Sequence, residues 1–136
     1  MSSRRRKSQR GGQMVELGLC IVPFIMFLWA TLSFGHAVFA YNNVAFLARE
    51  GSRWAAVRGS SSGRVADQTS VSTFTKGRSA GLDKSKLSVT TAWSNPSKIA
   101  GSLVTVNVTY VAATLPLAIL QDPLTVRSSS TATILQ

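Results

Sequence analysis

From Leu17 to Tyr41 the chain is apolar, with no formally charged side chain. Glu16 stands immediately before this run, and the next charge is Arg49; between them His36 is the one group that titrates near neutrality. The hydrocarbon layer of a bilayer takes about 20 residues of helix, so the pattern predicts a membrane span and not an ordinary globular helix. Pro23 removes one helical hydrogen bond and predicts a kink. Gly18 and Gly35 leave room for another helix, and Tyr41 suits the outer interface.

Beyond the run the pattern becomes two-faced. Val44, Leu47, Ala48, Gly51, Trp54 and Ala55 recur at helical spacing, while Arg49, Glu50, Arg53 and Arg58 fall largely elsewhere. Gly59 and the Ser60–Gly63 stretch are a stop and a loop. One helix is therefore expected from about Gly12 to about Arg58, apolar all round and then amphipathic. Arg64 to Ala80 is ambiguous. Val65, Val71 and Phe74 give one face of a short helix, and the Ser and Thr content works against it. Gly81 punctuates.

Period-two alternation follows. Leu87, Val89, Thr91 and Trp93 alternate with Ser88, Thr90 and Ala92, and Asn95-Pro96-Ser97 is a turn signal. Leu103–Tyr110 is the clearest strand, with Val104, Val106, Val108 and Tyr110 on one face. Pro116 and Pro123 break the segment Ala112–Pro123, which reads as a loop whose Leu115, Leu117, Ile119 and Leu120 pack down. Thr125–Leu135 is the last strand, with Val126, Ala132 and Ile134 inward and Ser128–Ser130 favouring neither face. The expected fold class is α+β: a long N-terminal helix, transmembrane and then amphipathic, packed on a small three-stranded antiparallel sheet. Trp54 is expected to pack against the valine face of Leu103–Tyr110.

Charge then fixes orientation. Of a net charge of +10, half comes from Arg4, Arg5, Arg6, Lys7 and Arg10. A basic tail before an apolar run is a topology signal that keeps the N-terminus inside. A nucleic-acid role for the tail has no aromatic or patterned basic face to support it. Residues 1–10 carry no apolar periodicity and are expected to lack order. A cleaved secretory signal is disfavoured, because the apolar part is too long and Ala37-Val38-Phe39-Ala40 only approximates a cleavage site. The expected division is a basic cytoplasmic leader over 1–11, a transmembrane helix over 12–41 and an extracytoplasmic domain over 42–136.

Catalytic chemistry finds little to work with. Outside the run there is no His or Cys, and Glu50, Asp67, Asp83 and Asp122 are dispersed without motif spacing. Cys20, the single cysteine, lies inside the run and is read as a small apolar filler. Asn107-Val108-Thr109 matches a glycosylation acceptor by chance. No enzyme activity, cofactor or metal is expected.

Several stretches together resemble the TadE-like minor pilins, or pseudopilins, of bacterial Tad (tight adherence) secretion and Flp-pilus systems. Gly12-Gln13-Met14-Val15-Glu16-Leu17 resembles the family's N-terminal motif, Pro23 its proline, and Phe34-Gly35 its Phe-Gly. Ala48-Arg49-Glu50-Gly51-Ser52-Arg53 resembles its Ala-Arg-Glu-Gly-Ala-Arg helix, the most specific of the matches. Val104–Tyr110 and the Ser-rich last strand resemble its C-terminal half. Ser33 and His36 depart from the family's acid before Phe-Gly and arginine after it.

The resemblance implies a pilin-like structural component in the inner membrane, with other pilin or pseudopilin subunits and a Tad assembly platform as partners. It also implies a leader cut after a glycine by a prepilin peptidase. Cutting between Gly11 and Gly12 makes Glu16 the fifth residue, and cutting between Gly12 and Gln13 makes it the fourth; the first register fits the pilin pattern. A carboxylate beside lipid is costly, and the new N-terminal amine of a neighbour would neutralise Glu16 on assembly. Glu16 also reads as an acid ending the helix near its N-terminus, where a negative charge is favoured. Arg49, Glu50, Gly51 and Arg53 are the implied family helix. The other reading of the whole is a single-pass anchored extracytoplasmic binding domain with no filament role.

Overall fold

The computed structural model describes residues 6–112 and 123–135, with side chains from residue 12 onward. The expected packed loop, with Leu115, Leu117, Ile119 and Leu120, lies outside the described residues. The elements in order are α1 (Arg6–Ala56), α2 (Gln68–Arg78), a 3-10 turn (Lys84–Lys86), β1 (Leu87–Trp93), β2 (Leu103–Val111) and β3 (Thr125–Thr133). The fold is α+β, with a long N-terminal helix packing on a three-stranded antiparallel sheet in the order β1-β2-β3. The chain divides after His36 into two compact units.

The N-terminal unit is helix from Arg6. Over residues 6–10 this corrects the expectation that residues 1–10 lack order; residues 1–5 lie outside the described residues. Arg, Lys and Gln are good helix formers, and a nucleated helix propagates at one hydrogen bond per residue fixed. Gly11, Gly12 and Pro23 all lie within it. Every residue from Gly12 to Leu32 is exposed within the chain. Among the described residues, Gly12–Ala56 is the one helix long and apolar enough to cross a membrane. Among the described residues nothing covers the apolar side chains from Met14 to Leu32, as a lipid-facing segment requires.

The outer unit begins at Ala37. Here α1 buries Ala40, Val44, Leu47, Ala48, Gly51, Ser52 and Ala55, the i, i+4, i+7 stripe that a helix presents to a sheet. Beneath it lies the inner row of the sheet. Val104, Val106 and Val108 are fully buried, and Leu87, Val89, Tyr110 and Val126 complete the row. Each such Val or Leu contributes roughly 1.5–3 kcal/mol by leaving water. The registers align the strands closely, with Val89 opposite Val108 and Tyr110 opposite Val126.

The two ends of α1's outer half are fixed by different parts of the chain. The Ala56 carbonyl, orphaned at the helix C-terminus, accepts from the Leu135 N–H at 2.9 Å. Near the other end Gly81, at φ +74°, lies against the Phe39 ring; a Cβ there would come within 3.2 Å of Phe39 Cζ.

The ambiguous segment is α2, and its cap explains why Ser and Thr did not prevent it. The Ser70 N–H donates to Asp67 Oδ1 at 2.8 Å, and the Asp67 N–H donates to Ser70 Oγ at 2.9 Å. This reciprocal box satisfies two orphan donors at the helix start. Hydrogen bonding from Ser70 holds the Asp67 carboxyl below its ordinary value, with a smaller contribution from Lys98. The box therefore stabilises α2 fully above the ordinary aspartate range and weakens as pH falls through the lowered value.

Among the described residues, one side chain of α2 makes its hydrogen bonds to β1. Gln68 Nε2 donates to the Val89 carbonyl at 2.7 Å, while its Oε1 accepts from the Thr91 N–H at 2.7 Å and from the Thr91 hydroxyl. On β3 the serines do choose faces, against the expectation. Ser128 and Ser130 are half-buried on the inner row and Ser129 is exposed, because the strand keeps its two-residue period through them.

Candidate assembly helix

The residues implied by the resemblance all lie on α1, in two groups. Gly11, Gly12 and Glu16 belong to the N-terminal unit. Among the described residues nothing beyond its own helix turn lies within 4 Å of a Cβ added at Gly12, and Glu16 is exposed. Glu16 is also well inside the helix, since the first turn at Arg6 holds no acid. The helix-end reading of Glu16 therefore has no basis in the uncut chain. Cutting at Gly11 would bring Glu16 close to a new N-terminus, the arrangement that the dipole favours.

The second group, Arg49, Glu50, Gly51 and Arg53, belongs to the outer unit, and its members have different surroundings. Arg49 and Arg53 are exposed, Glu50 is half-buried and Gly51 is buried. Gly51 sits where the helix comes close to α2 and β2. A Cβ at this position would lie 2.9 Å from Thr75 Oγ1 on α2 and 3.2 Å from Val106 Cγ1 on β2. The absent side chain lets three elements meet at one point. Thr75 is fully buried and its hydroxyl has no hydrogen-bond partner among the described residues, so the contact is tight at some cost in polar satisfaction.

Beside Gly51, Ser52 makes a polar contact that the sequence did not reveal. Its hydroxyl donates to the Arg49 carbonyl at 3.0 Å and lies 2.9 Å from Ser130 Oγ. With its one proton committed, Ser52 accepts from Ser130, and β3 is joined to the helix. A serine in each of two distant segments gives no sequence signal of pairing.

Trp54 packs against the core as expected, but from a half-buried position. The valine face is met by Gly51, through Val106. Trp54 is one step round the helix, half-buried, and stacks on Phe74 of α2 with centroids 4.9 Å apart and planes at 20°. The Arg58 guanidinium lies 4.0 Å from the Trp54 ring centroid, and Arg58 also donates to the Trp54 carbonyl at 3.2 Å. Trp54→Ala should therefore cost about 2 kcal/mol, below the ~3–5 kcal/mol of a fully buried aromatic. Thermal denaturation of the full chain in detergent reads this, and an unchanged melting temperature would show that the stack adds nothing.

Comparison with known proteins fits the helix and not the whole chain. The model of the family described as TadE-like protein matches residues 11–53, from the first glycine of the motif through Arg53. No match was found among curated proteins or among solved structures. The matched stretch holds both groups of candidate residues, and over it the chain is similar to the TadE-like family.

Proposed function

We propose that the protein is a minor pilin or pseudopilin-type structural component of a bacterial Tad assembly, with no enzymatic activity. The observation that carries this reading is the family match over residues 11–53, a stretch that contains one exposed carboxylate, Glu16, ahead of an uncharged apolar helix. In this reading α1 anchors the chain once in the inner membrane, with the N-terminus cytoplasmic and the outer unit beyond the membrane. A prepilin peptidase removes the basic leader after Gly11. The amine of Gly12 on one subunit then meets Glu16 of a neighbour, and two ionised groups beside lipid neutralise each other.

Two measurements test this reading. Reporter fusions at Gly59 and at the C-terminus should both report a non-cytoplasmic location, and a cytoplasmic signal from both reverses the topology. The full chain should also be recovered with sheared filaments or with the assembly platform, in a form that begins at Gly12. A full-length chain never recovered with those components leaves the anchored binding domain as the reading.

A further inference from the structure

The sheet has two edges, and the chain treats them differently. On β1 the outward-pointing Val89 carbonyl and Thr91 N–H are both engaged by the Gln68 amide. A side-chain amide carries donor and acceptor together and here stands in for a neighbouring strand. β3 has no such guard. Its even-numbered positions face β2, as the flanking bonds from the Ala112 N–H to the Leu124 carbonyl and from the Ile134 N–H to the Ser102 carbonyl show. The backbone groups of Thr125, Arg127, Ser129, Thr131 and Thr133 therefore point away from β2. Among the described residues nothing meets them. The outward N–H is engaged only at Leu135, by Ala56. β3 also lacks the Pro and Lys that blunt exposed edges.

A second observation lies beside that edge. The Ser52–Ser130 contact places one flank of α1 along β3. Val38, Tyr41, Ala45 and Arg49 continue that flank at helical spacing. With Leu124–Arg127, the residues Ala37, Val38 and Tyr41 enclose a groove of about 450 Å³. Its walls are mostly apolar, and among the described residues nothing covers them, with Val38 41% and Leu124 45% exposed.

We propose that the outer edge of β3 receives an extended strand of a different protein chain, apolar at alternate positions on its inner face. Such a strand pairs its backbone with Arg127, Ser129 and Thr131 and turns every second side chain towards α1. One apolar side chain then enters the groove between Val38 and Leu124, and an acidic one suits the exposed Arg49 further along. A second copy of this chain fits poorly. Its β1 edge is engaged by Gln68, and its β3 would present Ser128 and Ser130 to an apolar groove. The partner belongs to the assembly proposed above, so the inference rests on that reading.

Amide hydrogen exchange on the full chain tests it, in detergent micelles and in membranes of cells producing the whole assembly. In micelles the amides of Arg127, Ser129 and Thr131 should exchange freely, with Ser128 and Ser130 protected. In membranes the first three should slow at least about tenfold. Ser129→Pro removes an outward N–H and no bond to β2, so it should keep the melting temperature and abolish the slowing at Arg127 and Thr131. Should that variant prove unstable, the wild-type comparison decides alone. Protection already present in micelles overturns the proposal, because the chain then covers its own edge. Equal exchange in micelles and membranes overturns it as well. Slowing in cells that produce this chain alone overturns the assigned partner in favour of a second copy. A chain recovered with filament components but open at β3 sinks the edge and spares the pilin reading; slowed exchange without such recovery does the reverse.

Discussion

Gly51→Val should unfold the outer unit or leave it barely stable. The first added atom alone falls 2.9 Å from Thr75 Oγ1 and 3.2 Å from Val106 Cγ1, and two more methyl groups must follow it. Thr75 and Val106 are both fully buried, so neither has space to retreat into. Overpacking a close-packed core costs about 1–3 kcal/mol and occasionally more. Three heavy atoms at the junction of α1, α2 and β2 should reach about 3 kcal/mol at least, a large part of the roughly 5–15 kcal/mol of a typical domain. Gly51→Ala is milder, since Ala is favoured over Gly in a helix by up to about 1 kcal/mol. Thr75→Ala removes the nearest atom and an unpaired buried hydroxyl. The double variant Gly51→Ala, Thr75→Ala should therefore be more stable than the two single changes predict, by about 0.5–3 kcal/mol. Thermal and urea denaturation of the full chain in detergent measures all four. A melting temperature for Gly51→Val equal to wild type would show that the helix can lift away from the sheet.

Glu16→Gln should leave the protein inserted and folded yet fail to bring it into the assembly. Removing a charge beside lipid makes insertion no harder, and Glu16 is exposed. Breaking a desolvated ion pair from one side costs about 3–5 kcal/mol, because the other charge is left without its partner. At about 1.4 kcal/mol per factor of ten, recovery with sheared filaments or platform should drop well over tenfold, normalised to membrane level. Glu16→Ala should behave alike. Loss for Ala and not for Gln would point to hydrogen bonding instead of charge, and wild-type recovery for both would reduce Glu16 to a surface residue. Leader cleavage must be followed in parallel by the mobility of a Gly11 variant, since an uncut chain presents no free amine.

The elements that the sequence revealed are those whose pattern is long. α1's change from uniformly apolar to two-faced, and the valine alternation of β2, each repeat often enough to be read from periodicity. What escaped depends on single contacts between distant residues. α2 was ambiguous because its decisive feature is Asp67 with Ser70, a box in which Ser replaces the usual Glu. Its size predicts burial for Trp54, which packs on the core half-buried, whereas the contact with Val106 falls to Gly51, a residue with no side chain. Ser128 and Ser130 gave no polarity contrast with Ser129, so only the strand period could assign them. Within the candidate site, the position and exposure of Glu16 follow from composition alone, whereas the reason for Gly51 needs Thr75 and Val106 in space.

The guard on β1 has a consequence for how the chain reaches its fold. Gln68 adjoins the cap residue Asp67, so its amide is in place only while α2 is formed and docked. A sheet assembled before α2 arrives has two adhesive edges, and such intermediates aggregate in proportion to their lifetime. The capping box acts within one helical turn, on the timescale of local helix formation and not of long-range strand pairing. Early nucleation of α2 thus shortens the interval in which newly made chains can stick to one another.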